Sequence, residues 1–298
     1  MSILPPYLRP GDKVGVVAPA RKVIASEMEY AIQTLVNWNL VPVLGSNIYK
    51  QFHQFSSTQQ ERISDFQQML NDPSIKAIIA ARGGYGTLQI IDELDFSLFQ
   101  KNPKWIVGYS DITVLHSHIH AQYNIATMHA TMLINFTKDE ESTQSLKRAL
   151  FGESLKYEVE KNKLNKKGQA SGALVGGNLS ILYALNGSVS DIHTDGKILF
   201  IEDLDEYLYH IDRMMMNLER SGKLKKLAGL IVGGMNDMKD NAVPFGKTAE
   251  EIISEKIKKY NYPVCFNFPA GHDRKNLALL LGKEVKLEVT ESVSVLSI

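Results

Sequence analysis

The sequence predicts an α/β fold in two parts: an N-terminal doubly wound domain on a mostly parallel sheet, and a C-terminal α/β domain richer in β structure. Three observations carry this. Short apolar runs alternate with segments of helical spacing over the first 140 residues, and such alternation needs crossover helices and therefore parallel strands. A mostly polar stretch follows, and beyond it the apolar runs crowd together with fewer helical segments between them. We assign residues 1–140 to the first domain, 141–168 to a linker and 169–298 to the second domain.

Lys13 to Ala18 is an apolar run too short for a helix and reads as a first buried strand. It stops at Pro19 without opening into a Gly-x-Gly-x-x-Gly turn, so a dinucleotide fingerprint is absent. Ser26 to Trp38 places Met28, Ile32, Leu35 and Val36 on one face behind a Ser26/Glu29 capping signal, which predicts an amphipathic helix. Leu40 to Leu44 is the second strand, Ser57 to Leu70 the second helix and Ala77 to Ala81 the third strand. That strand ends in Arg82-Gly83-Gly84-Tyr85-Gly86, where glycines allow a tight turn and bring backbone N–H groups close to an anion or an oxyanion. The same glycines are equally compatible with a turn that binds nothing. A helix over Gly86 to Leu94 leads to the strand Trp105 to Val107, which breaks at Gly108-Tyr109-Ser110-Asp111 into a segment of helical spacing through Ile112, Leu115, Ile119 and Tyr123. The glycine loop and Ser110 thus share the carboxyl edge of the sheet, where open α/β sheets bind ligands.

The polar stretch runs from Thr137 to Gly168, interrupted only by a short helical or strand-like segment. Ala173 to Leu179 then forms a strand, a glycine turn and a helix start, and Lys197 to Ile201 a strand ending in Glu202-Asp203. The next helix carries Leu204, Leu208, Ile211, Met215 and Leu218 on one face, its methionines filling core. Runs over Leu227–Val232, Val264–Phe268, Leu277–Leu281, Val285–Val289 and Val293–Ile298 read as strands, with one helix from Thr248 to Tyr260.

With 298 residues, 44% hydrophobic, 22% charged and a formal net charge of zero, the chain has a globular composition and no electrostatic footprint for nucleic acid. Its start has neither a basic leader nor a continuous apolar core, and no segment approaches the ~18 apolar residues of a membrane span, so a cytoplasmic protein without a membrane partner is expected. The single cysteine, Cys265, sits in an apolar run and reads as a buried, inert thiol.

Three apolar runs end in groups able to work together: Ser110, Glu202, and His272 after Pro269-Ala270-Gly271. A hydroxyl nucleophile needs a neutral imidazole to accept its proton, and the imidazole needs a fixed acceptor on its other nitrogen. Each residue also has an ordinary reading, since Ser110-Asp111 suits a helix N-cap, Glu202-Asp203 a helix start and His272 a loop. His116 and His120 have the i,i+4 spacing of a zinc pair, yet no Glu follows His116 and no third ligand is evident, so no metal is expected.

Arg82-Gly83-Gly84-Tyr85-Gly86, Gly108-Tyr109-Ser110-Asp111, Gly176-Gly177-Asn178-Leu179, Ile201-Glu202-Asp203 with Asp205-Glu206, Ile211-Asp212-Arg213, and Gly271-His272 together resemble the L,D-carboxypeptidase family of serine peptidases. The resemblance runs from about Gly11 to the last strands in order. It implies Ser110 as nucleophile, His272 as general base and Glu202 in the place that Asp holds in the commoner triad. It also implies the removal of terminal D-alanine from murein tetrapeptides in cell-wall recycling, by a cytoplasmic homodimer without a cofactor. The turn departs from the Gly-x-Ser-x-Gly elbow of α/β-hydrolases, because position 112 is Ile. We expect the backbone N–H groups of Gly84 and Asp111 to form the oxyanion hole. Arg82, Gly83 and Tyr85 are expected to contact substrate, with Arg82 either holding the leaving residue's carboxylate or serving as a structural ion-pair partner. Two other readings stay open: an immunity-type carboxypeptidase that cleaves peptide-nucleotide antibiotics, whose members look longer by a loop, and a catalytically silent peptide-binding α/β protein.

Overall fold

The computed structural model describes residues 2–298. Strand β1 (Lys13–Val17), helix α1 (Ala25–Asn37), β2 (Val41–Leu44), α2 (Gln59–Asn71), β3 (Ile75–Ala80), α3 (Ser97–Lys101), β4 (Trp105–Gly108), α4 (Thr113–Tyr123) and β5 (Thr127–His129) follow one another as strand and helix. β1 to β5 pair in parallel, so the predicted winding is observed. Helix α1 buries Met28, Ala31 and Leu35, but its start is fixed two residues earlier than the Ser26 signal suggests, because Glu27 Oε2 accepts the N–H of Ile24 at 3.0 Å. Thr58 caps α2, whose inner face is Phe66, Met69 and Leu70.

The helix expected over Gly86 to Leu94 is instead two 3-10 turns, Thr87–Gln89 and Ile91–Glu93, with α3 beyond them. The cause lies outside the segment. Thr87 N–H donates to Asp111 Oδ2 at 2.8 Å and Gly86 O accepts from Arg62 Nη1 at 2.9 Å, so side chains take the groups that would open an i→i+4 ladder.

The segment 141–168, expected to link the domains, is mostly ordered structure: helix α5 (Glu140–Leu150) and strand β6 (Lys156–Glu160). The second half continues with β7 (Gly168–Asn178), α6 (Leu179–Leu185), β8 (Ile198–Leu204), α7 (Leu208–Arg220), β9 (Gly229–Asn236), α8 (Ala249–Ile257), β10 (Val264–Cys265), β11 (Leu279–Leu281), β12 (Glu284–Val289) and β13 (Val293–Ser297). Leu204 belongs to β8 and not to the helix expected after it; α7 buries Ile211, Met214, Met215 and Leu218.

The first sheet has the order β11-β5-β4-β3-β1-β2 and the second β10-β9-β8-β7-β12-β13-β6. β11 crosses from the C-terminal half to pair antiparallel with β5, and β7 to β10 form a parallel set flanked by antiparallel β12, β13 and β6. One apolar core runs through both sheets, joining Val16, Trp105 and Met128 to Phe200, Leu279 and Leu287. Fully burying such a side chain contributes about 1.5–3 kcal/mol, and this shared core ties the carboxyl ends of β4 and β8 to one rigid base.

Candidate active site

Strand β4 is buried along its whole length and ends against a cleft of about 430 Å³. Two residues on, Ser110 has φ of +63°, a conformation that costs a non-glycine residue roughly 1–3 kcal/mol. One 3-10 turn, Ser110–Ile112, then feeds α4. Strain of this kind persists where the surroundings over-determine it, and here it sets the hydroxyl at the cleft wall.

His272 meets that hydroxyl from the other sheet. Its Nε2 lies 3.0 Å from Ser110 Oγ, its Nδ1 lies 2.7 Å from Glu202 Oε2, and its backbone N–H donates to the same oxygen at 3.1 Å. Gly271, with φ of +106°, makes this approach possible, since a Cβ there would lie 2.6 Å from Glu202 Cγ and Oε2. Glu202 is fully buried in β8, at a break in register with β9, and its neighbour Asp203 is 2% exposed. The two carboxylates serve different partners: Asp203 Oδ1 accepts from Asn178 Nδ2 at 2.9 Å and its Oδ2 from Ser180 N–H at 2.9 Å.

The electrostatics follow this arrangement. Burial alone would push the Glu202 pKa up, but the charge and hydrogen bonds of His272, with His129 behind them, hold it below the ordinary carboxylate value. Burial alone would push His272 down; the Glu202 charge and hydrogen bond, joined by the Asp203 charge, bring it above the ordinary imidazole value. Asp203 is pushed up to about 7 by burial and by the adjacent Glu202 charge. Tyr109, whose ring packs edge-on against His272 at 4.9 Å, is pushed up to about 12, mainly by burial.

The glycine loop closes the other wall. Arg82, Gly83, Gly84 and Tyr85 line the cleft with Ser110 and Asp111. A Cβ on Gly83 would stand 3.1 Å from Ser110 Cβ, and one on Gly84, where φ is +117°, would stand 2.6 Å from Arg21 Cδ. The Asp111 side chain is buried and turned to Thr87, leaving its backbone at the first turn beside Ser110. Arg82 Nη1 lies 3.4 Å from Lys22 O and 4.0 Å from Glu27 Oε1, the structural pairing weighed for it from the sequence.

Arg21, Lys138, Asn178 and Asp203 also line the cleft and were not singled out as substrate contacts. Arg21 follows β1 at the same carboxyl edge, so the strand-end rule applied to the first strand would have found it. His116 Nε2 lies 2.9 Å from Gly108 O and His120 Nε2 lies 2.8 Å from Lys197 Nζ, so the i,i+4 pair is engaged elsewhere. Among the described residues no group of three or more His, Cys, Asp or Glu is placed to hold a metal ion, and no helix is long and apolar enough to cross a membrane. Cys265 is buried, and burial pushes its thiol up to about 11.

Comparison with known proteins places the chain by family and by fold. The chain is 35% identical to the probable murein peptide carboxypeptidase of Bacillus subtilis over 98% of its length and 93% of that protein's. It is 28% identical to the murein tetrapeptide carboxypeptidase of Pseudomonas aeruginosa, covering 93% of each. The crystal structure of muramoyltetrapeptide carboxypeptidase from Oxalobacter formigenes superposes with a TM-score of 0.87 at 25% identity, covering 96% of this chain and 98% of that one. The immunity protein MccF, in complex with glutamyl sulfamoyl guanosine, shares the fold at a TM-score of 0.88 and 20% identity, over 100% of this chain and 98% of its own. Residues 14–130 match the LD-carboxypeptidase N-terminal domain and residues 171–287 the LD-carboxypeptidase C-terminal domain, and the chain therefore belongs to the LD-carboxypeptidase family.

Proposed function

We propose that this protein is a serine-type carboxypeptidase that hydrolyses the L,D amide releasing terminal D-alanine from murein tetrapeptides. The observation that carries the reading is the continuous chain Ser110 Oγ to His272 Nε2 at 3.0 Å and His272 Nδ1 to Glu202 Oε2 at 2.7 Å, at the wall of a cleft. The names of the Bacillus subtilis and Pseudomonas aeruginosa relatives support the murein substrate.

In this reading Ser110 Oγ attacks the carbonyl of the penultimate residue while His272 Nε2 takes the hydroxyl proton, and Glu202 stabilises the imidazolium that forms. The backbone N–H groups of Gly84 and Asp111 hold the oxyanion. His272 then gives its proton to the nitrogen of D-alanine, the C–N bond breaks, and water hydrolyses the acyl-enzyme by the same relay in reverse. Arg21, Arg82 and Lys138 line the cleft and supply positive charge for the terminal carboxylate that defines a carboxypeptidase substrate. Gly83 and Tyr85 belong to the wall against which the peptide lies. The reading extends to a cytoplasmic homodimer acting on imported wall fragments, checked by cell fractionation and by sedimentation. Its central test is incubation with murein tetrapeptide, pentapeptide and a peptidyl-sulfamoyl nucleoside in parallel. Free D-alanine from the tetrapeptide is expected; cleavage confined to the nucleoside substrate, or no acyl-enzyme with any of them, sinks the reading.

A further inference from the structure

Behind the Ser110, His272 and Glu202 chain lie four buried polar atoms that make no hydrogen bond of full geometry among the described residues: Glu202 Oε1, both ring nitrogens of His129, and Asn276 Nδ2, although the Asn276 side chain stands within hydrogen-bonding reach of His129. Their residues are 0%, 0% and 4% exposed. Buried polar groups are almost always paired, because an unpaired one keeps its full desolvation cost.

The atoms belong to one cluster. The His129 ring packs at 4.9 Å against Phe200, which shares a face of β8 with Glu202 two residues on, and at 5.9 Å against Tyr109, whose ring touches His272. Asn276 Oδ1 accepts the N–H of Gly271 at 2.9 Å, the residue that brings His272 onto Glu202. The titratable groups facing His129 are Glu202 and His272 from the second sheet's edge and Tyr109 and His116 from the segment after β4. Burial pushes the His129 imidazole down to about 4, so near neutral pH the ring carries one donor and one acceptor.

Among these groups themselves, one order of donors and acceptors satisfies all four atoms. Asn276 Nδ2 can only donate and Glu202 Oε1 can only accept, so a neutral His129 must stand between them. Resting on the functional reading above, we infer that His129 is a positioning residue: its ring N–H donates to Glu202 Oε1, directly or through one bound water, while Asn276 Nδ2 donates to its other nitrogen. The relay anchors the oxygen of Glu202 that His272 does not use, and so fixes the carboxylate that orients His272. Removing it leaves the carboxylate less stabilised and more basic, which raises the proton affinity of the Glu202–His272 pair and moves the acid limb of activity to higher pH.

The test compares pH profiles of D-alanine release for the parental protein, His129→Phe and His129→Gln, together with nitrogen-15 imidazole NMR of the parental protein. His129→Phe keeps an aromatic ring and loses both hydrogen bonds. Its kcat should fall roughly ten- to hundredfold with KM near parental and the acid limb displaced upward. His129→Gln, which donates and accepts, should recover most of both. A folded His129→Phe with parental kcat and an unmoved limb overturns the inference, as does equal impairment of the two variants. If His129→Phe does not fold, the spectrum decides: one protonated and one accepting nitrogen on His129, shifting as His272 titrates, supports the relay, and a doubly protonated or unresponsive ring refutes it. A parental protein that releases no D-alanine sinks the functional reading alone, and the spectrum still judges the relay.

Discussion

Ser110 Oγ and His272 Nε2 stand 3.0 Å apart although 162 residues separate them in the chain, and each is delivered from the carboxyl edge of a different sheet. The contact therefore reports the docking of the two halves as well as the chemistry. Ser110→Ala should abolish D-alanine release, by about a million-fold where the nucleophile of a triad is lost. The melting temperature should stay close to parental, because alanine in the left-handed conformation at φ +63° is no worse placed than serine. D-alanine assay beside thermal melting checks both, and near-parental turnover would reduce Ser110 to a helix cap.

The acid limb of kcat/KM should lie above the ordinary imidazole value of about 6.5. The folded-state pKa of His272 is raised, so the ring stays protonated to higher pH than a free histidine, and a protonated ring cannot accept the serine proton. Activity is thus lost as pH falls through that raised value. Glu202→Gln removes the charge that raises it, so the residual activity of that variant should show its acid limb displaced downward. A limb at or below 6.5 in the parental protein would mean that Glu202 does not govern His272.

Glu202 and Asp203 are adjacent, but only Glu202 touches His272. Glu202→Gln should lower kcat by up to roughly ten-thousandfold, the scale seen when a triad acid can no longer hold the correct tautomer. Asp203→Asn should cost less, and through a different route: Asp203 anchors Asn178 and the Ser180 N–H at the cleft, so its loss should act on KM at least as much as on kcat. Steady-state kinetics of the pair settles the ranking, and the reverse order would reassign the orienting acid.

For the substrate's carboxylate, two arginines at the cleft differ in what already holds them. Arg82 is shared with Lys22 O and Glu27, whereas Arg21 lays its stem across Gly84 with no ion pair of its own among the described residues. Arg21→Met keeps the stem and removes the charge. It should lower kcat/KM roughly ten- to hundredfold, chiefly through KM, with Arg82→Met doing less. If Arg82→Met is the more damaging variant, the carboxylate sits on Arg82 as the sequence first suggested.

Ser110, Glu202 and His272 were legible because each ends an apolar run, and a strand that stops in a polar residue marks the sheet edge where ligands bind. His129 was not, since its strand spans only Thr127–His129, too short to show a period. Helix α5 looks like linker in the sequence because its inner face carries Ser142, Thr143 and Ser145 where apolar residues are expected. Those hydroxyls are used: Ser142 Oγ accepts from Asn276 N–H and Ser145 Oγ from Ala278 N–H, holding the chain that follows His272. The crossing of β11 into the first sheet is a non-local pairing that no local pattern encodes.

The glycine loop offers a separation of two effects that the sequence merges. From spacing alone, Gly84→Ala is expected to reduce kcat with stability unchanged, but Gly84 has φ of +117° and its added Cβ would press on Arg21 Cδ at 2.6 Å. That variant should lose about 1–3 kcal/mol of stability as well as turnover, because an alanine is strained there whatever the space around it. Gly83 has no such backbone demand, yet its Cβ would stand 3.1 Å from Ser110 Cβ and 3.4 Å from Ser110 Oγ. Gly83→Ala should therefore stay nearly as stable as the parent and lower kcat by roughly a hundredfold, since displacing a nucleophile by a fraction of its reach spoils the attack geometry. If Gly84 supplies an oxyanion donor as proposed, its distortion should cost a similar factor in kcat, so the two variants should look alike in kinetics and unlike in melting. A Gly84→Ala protein that melts normally and only raises KM would place the loop in substrate binding, outside the oxyanion hole.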